Sequence, residues 1–94
     1  MGSRYKRNGP LGNSLLQRDW KTWIVVDGDG EEFRFHRKEY AMMSGVLMFE
    51  KDDRTKLYEE TTIRTRKDFH TKDEKFRIDI TDSLKLRILL NNLK

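Results

Sequence analysis

The chain has 94 residues, no cysteine, 20 Lys and Arg against 16 Asp and Glu, and a formal net charge of +4. That length allows one domain at most, and the missing thiols exclude a disulfide framework and a thiolate metal site. With hydrophobic residues at 35% and charged ones at 38%, the core must be small, and the aromatic side chains must supply much of its area.

The charge is unevenly divided. Residues 1–21 hold Arg4, Lys6, Arg7, Arg18 and Lys21 against Asp19; residues 22–60 hold six basic and ten acidic side chains; residues 61–94 hold nine basic and five acidic. Positive charge therefore gathers at both ends around an acidic middle, unlike a uniformly basic nucleic-acid binder. The basic N-terminus has no apolar stretch behind it, and the longest apolar runs, Trp23 to Val26 and Val46 to Phe49, are far too short to cross a bilayer. These features lead us to expect an intracellular, cytoplasmic protein with no membrane partner.

Residues 1–13 contain three glycines, the single proline and little apolar surface, which is the composition of a flexible basic tail. Tyr5 stands between Arg4 and Lys6, with Arg7 next, so the tail reads either as a plain terminus or as an arm that lies on phosphates and stacks a base. Residues 14–94 form a single small strand-rich domain. Ser14 is a candidate cap for one or two helical turns, because Leu16, Trp20 and Trp23 recur at i, i+4 and i+7.

Trp20 to Phe35 reads as a hairpin around Asp27-Gly28-Asp29-Gly30. With Asp29-Gly30 as a two-residue loop, Val26 faces Phe33 and Ile24 faces Phe35, giving one apolar face. With Asp27-Gly28 as the loop, Ile24 faces Glu31 and Thr22 faces Phe33. The first register is the better match, and a slip of one residue would invert every side chain.

His36 to Tyr40 follows as a strand end and turn, Gly45 as a bend or bulge, and Val46 to Phe49 as a third strand. Lys56 to Arg66 is a fourth, with Leu57, Thr61, Ile63 and Thr65 inward and Lys56, Tyr58, Glu60, Thr62, Arg64 and Arg66 outward. Lys67 to Glu74 reads as a polar loop, and Phe76, Ile78 and Ile80 alternate as a fifth strand. Beyond it, Leu86, Leu89, Leu90 and Leu93 sit at helical spacing after the cap candidates Thr81, Asp82 and Ser83, although Leu84, Leu86, Ile88 and Leu90 also alternate. Leu, Lys and Arg favour the helix.

The expected fold is α+β or mainly β: a small, five-stranded, mostly antiparallel sheet, curled or barrel-like, with a C-terminal helix. Its expected core is Ile24, Val26, Phe33, Phe35, Val46, Met48, Leu57, Ile63, Ile78, Ile80, Leu86 and Leu90.

Chemistry is thinly supported. An EF-hand loop counted from Asp27 needs Gly at its sixth position and Glu at its twelfth, where this chain has Glu32 and Lys38. His36 and His70 are distant and lack a thiol companion, so no metal is expected. Ser44, His36 and any of many acids could be drawn as a catalytic set, but no spacing selects one. No enzyme activity, cofactor or small-molecule substrate is indicated.

The basic residues point furthest. On one side of strand 56–66, Tyr58 stands with Arg64 and Arg66, and Lys67, Lys75 and Arg77 follow nearby. An aromatic ring amid cations on a sheet holds single-stranded RNA or DNA by stacking and phosphate neutralisation, although exposed strands also use cations to block edge pairing. The sequence thus suggests a non-catalytic nucleic-acid or ribonucleoprotein-binding module using Arg4, Tyr5, Lys6, Arg7, Tyr58, Arg64, Arg66, Lys67, Lys75 and Arg77. The alternative is a protein–protein interaction module, a complex subunit or small inhibitor, binding through exposed aromatics or a sheet edge.

The order of basic tail, Gly9-Pro10-Leu11, short helix and five strands is similar to Sm-like RNA-binding proteins. Gly45-Val46-Leu47-Met48-Phe49-Glu50 resembles that family's glycine and hydrophobic strand, and Ile80-Thr81-Asp82-Ser83 its last turn. The family's RNA-contacting Asn is absent from 52–56, its Arg-Gly is replaced by Ile80-Thr81, and about ten extra residues precede Gly45. The resemblance implies a small RNA-binding barrel and carries over no binding residues.

Overall fold

A computed structural model describes residues 16–93. The elements are β1 (Leu16–Val26), β2 (Glu32–Phe35), α1 (Lys38–Lys51), β3 (Lys56–Lys67), β4 (His70–Asp79) and α2 (Thr81–Asn92). The four strands form one antiparallel sheet in the order β2-β1-β3-β4, open at both edges, with both helices on one face. The sheet therefore has four strands instead of five and does not close into a barrel.

The missing strand is a helix. Val46 to Phe49 looks like a strand in isolation, but it ends a run of 14 residues rich in the good helix formers Ala, Met, Leu, Glu and Lys, with no proline. Gly45 is a buried helical position: a Cβ there would lie 3.0 Å from a Leu84 methyl, so the glycine lets α2 approach α1 closely. Glu39 in the first turn and Lys51 in the last suit the helix dipole. The likeness to Sm-like proteins fails at this point, since the stretch that carried it is helical.

The first hairpin is shifted by one residue from the expected register. Val25 pairs with Phe33 and Trp23 with Phe35. Asp27 N–H donates to the Glu31 carbonyl and Gly30 N–H to the Asp27 carbonyl, both at 3.0 Å, which closes a three-residue loop, Gly28 to Gly30. Gly30 has φ +88°, as the left-handed third position of such a loop requires. The Asp27 carboxylate accepts from the N–H groups of Asp29 and Glu31, each at 2.9 Å, so this side chain is committed to shaping the turn. Gly28 packs so closely on Asp52 and Arg54 that a Cβ would collide with the Asp52 carboxylate.

Two other expectations change. Leu16 to Trp20 is strand, paired with β3 from Leu16↔Arg66 to Val26↔Lys56, because β3 offers a full-length partner. The proposed Ser14 cap and the tail residues Arg4, Tyr5, Lys6 and Arg7 lie outside the described residues. The loop at 67–74 is mostly strand as well: β4 begins at His70, opposite Lys67, after a two-residue turn in which Asp68 has φ +55°.

The core is formed by Val25, Leu57, Ala41, Met42 and Leu84, with Trp23, Phe33, Phe35, Val46, Met48, Phe49, Ile80 and Ile88 packed around it. Each fully buried Val, Leu or Met contributes about 1.5–3 kcal/mol. α2 forms as expected but in another phase, burying Leu84 instead of Leu86 and Leu90. Thr81 sets that phase. Its hydroxyl accepts from Leu57 N–H at 3.0 Å and its N–H donates to Asp79 at 2.9 Å, so Leu84 and Ile88, three and seven residues on, turn inward. Ile78 is exposed, and Val26 stands on the opposite face from the helices.

Candidate nucleic-acid interface

Strand alternation and the observed register divide the sheet into two faces. Trp23, Val25, Phe33, Phe35, Leu57 and Glu59 share the helix-covered face; Ile24, Trp20, Arg18, Arg34, Tyr58, Arg64 and Arg77 share the other. No helix or strand among the described residues lies over this second face. It holds Arg18, Arg34, Lys56, Arg64, Arg66, Lys75 and Arg77 against Glu32, Glu60, Asp73 and Asp79, seven cations to four carboxylates. The helix-side face is balanced, with Lys21, Lys67 and Lys72 against Asp19, Glu59 and Glu74. The cationic surplus of the sheet therefore belongs to its open face.

Two aromatic rings stand there among guanidinium groups. Arg18 and Arg64 approach the Trp20 ring at 5.5 and 5.3 Å from its centroid, and Arg77 lies 5.5 Å from the centroid of Tyr58. Both rings are half-buried. Trp20 pairs with Thr62, four residues along β3 from Tyr58, which separates the rings by roughly 14 Å.

The cations are positioned in two ways. Arg34 and Arg77 both reach Glu60, at 3.0 and 3.1 Å, and Arg77 also reaches Glu32 at 3.1 Å. Glu60 is 4% exposed, and burial pushes its carboxyl up, but the hydrogen bonds from Arg34 and Arg77 outweigh that and hold it below its ordinary range. Arg64 grips Asp73 with two bonds, at 2.8 and 2.9 Å, which keep Asp73 ionised to lower pH than usual. These pairs fix Arg64 and Arg77 beside the rings. Arg18, Arg66 and Lys75 hold no ion pair among the described residues and are exposed to solvent.

Of the residues singled out from sequence, Tyr58, Arg64, Arg66, Lys75 and Arg77 share this face, whereas Lys67 projects from the other side at the β3–β4 tip. Trp20, Arg18 and Arg34 were missed. Arg18-x-Trp20 has strand spacing, but the i, i+4, i+7 pattern with Leu16 and Trp23 hid it.

His36 follows β2 at the helix-covered end, and His70 sits at the far tip beside Lys67, so the two histidines are not brought together. No cluster of three metal-ligating side chains occurs among the described residues, and no described helix is long and apolar enough to cross a membrane. No protein-family profile, curated protein or solved structure matches the chain.

Proposed function

We propose that the open sheet face binds single-stranded nucleic acid without catalysis. The observation that carries this reading is the pairing of Trp20 and Tyr58 with Arg18, Arg64 and Arg77 on the one face with a cationic surplus. A base stacks on each ring, the flanking guanidinium groups meet the adjoining phosphates, and Arg66 and Lys75 extend the electrostatic track. Such binding tolerates many sequences, because every base offers a π-face and no rigid hydrogen-bond reader is needed. The tail cations Arg4, Lys6 and Arg7 would add phosphate contacts to the same ligand, and Tyr5 a further stacking ring.

The test is fluorescence anisotropy of a labelled oligouridine and its oligodeoxythymidine equivalent, titrated with the intact chain at low salt. Binding that quenches tryptophan emission in the Trp23→Phe variant, where Trp20 is the remaining indole, supports the assignment. No binding at low salt ends it.

The second reading, a protein-interaction module, is favoured by a separate observation. Tyr40, Met43, Leu47, Leu86 and Leu89 on the helices, and Leu93 just after α2, all expose more than half their surface.

A further inference from the structure

α1 is apolar on both sides. Ala41, Met42 and Gly45 are buried, while Tyr40, Met43 and Leu47 project from the opposite side at 58%, 59% and 61% exposure. α2 repeats the pattern. Leu84 is fully buried and Ile88 half-buried, yet Leu86, Leu89, Leu90 and Leu93 form a second stripe at i, i+3, i+4 and i+7, each about half exposed or more. The helices run antiparallel, since Gly45 meets Leu84 while Glu39, earlier in α1, pairs with Arg87, later in α2, at 3.2 Å. A helix that is apolar all round belongs in an interior. Here the helices have the sheet on one side and nothing among the described residues on the other.

We propose that a second copy of this chain covers this outer face, helix layer against helix layer, about a two-fold axis. Three observations select a second copy. The seven outward side chains supply on the order of 700 Å², close to what each partner contributes to a standard interface, whereas a monomer rarely leaves so large a patch open. The charges beside the stripes do not repel a second copy. Glu39 and Arg87 neutralise each other within the chain, and the others balance, Glu50 against Lys51 on α1 and Asp82 against Lys85 on α2. The chain's own residues 1–15 are a poor cover, with only Met1, Tyr5, Leu11 and Leu15 as their large apolar side chains, in two pairs separated by Gly9 and Pro10. In this dimer the two open sheet faces point outward and away from each other, and both stay accessible.

Sedimentation of the full chain across a concentration series tests this. A two-chain species is expected, and Leu47→Glu with Leu89→Glu should convert it to monomer with an unchanged circular dichroism spectrum, since both side chains face away from the core. Because the chain has no native thiol, Leu89→Cys should also give a covalent dimer with a bis-maleimide, whereas Thr71→Cys on the open face should not. The proposal is overturned by an intact chain that stays monomeric into the millimolar range. It is equally overturned by a dimer that survives both glutamates, or by one that disappears when residues 1–15 are removed.

Discussion

Glu60 holds its charge deep in the sheet face through Arg34 and Arg77, which remain partly open to water. A carboxylate whose folded pKa lies below its unfolded one adds stability that is present above the ordinary glutamate range and is lost as pH falls through the depressed value. Glu60→Gln should therefore cost about 1–3 kcal/mol at neutral pH, because two guanidinium groups lose their shared carboxylate. It should also flatten the acid limb of thermal stability, measured as midpoints between about pH 7 and about pH 3. A variant with the parent's acid limb would show that Glu60 does not drive it. At the same scale, Trp20→Ala should weaken oligouridine binding by about 1–3 kcal/mol, roughly 5- to 150-fold, while Trp23→Phe on the other face should leave affinity unchanged.

Among the elements, α1 depends most on one small residue. The Leu84 methyls at 3.0 and 3.3 Å from the would-be Cβ of Gly45 leave no room for a branched side chain. Gly45→Val should destabilise by about 1–3 kcal/mol through overpacking, read as a lower thermal midpoint, even though valine is the better helix former. The same element shows what the sequence can and cannot tell. β3 was legible because its faces differ sharply, with Leu57 and Ile63 on one side and Arg64 and Arg66 on the other. α2 was legible as a helix from its leucine spacing, but not in phase, because leucines on both sides offer two equally good inward stripes. α1 was hidden for a related reason: apolar all round, it has no periodicity, and its last four apolar residues mimic a strand. The second half of β4 was legible from Phe76 and Ile78, but its first half, His70 to Lys75, was hidden because it is polar and exposed throughout, so no alternation marks it. The first hairpin register turned on a single residue of loop length. The cation-rich face could be read in part from Tyr58, Arg64 and Arg77, but Trp20 joins it only through cross-strand pairing.

Across the whole molecule, the division of charge makes the functional proposal quantitative. The tail surplus and the C-terminal surplus are separated in sequence by the acidic stretch 22–60, so each can be removed without the other. Phosphate neutralisation releases counterions, and for single strands each contact contributes about 0.7 to the slope of log affinity against log salt. Arg66→Ala and Lys75→Ala, at cations that hold no ion pair among the described residues, should each lower the slope by roughly that amount and leave the fold intact. Arg77→Ala should behave differently, since its charge is already shared between Glu32 and Glu60; it should lower stability more than it lowers the slope. Removing residues 1–8 deletes Arg4, Lys6 and Arg7 and should flatten the slope by roughly 2 more. If the tail docks on a protein instead, truncation weakens binding to that protein while the salt slope for oligouridine stays as it was. Measured at several salt concentrations on the intact chain, the two point variants and the truncation, the slopes assign the ligand's phosphates to the sheet face, to the tail or to both. Equal slopes in all four chains would remove the electrostatic basis of the nucleic-acid reading and leave the outer helix face as the better guide to what the protein does.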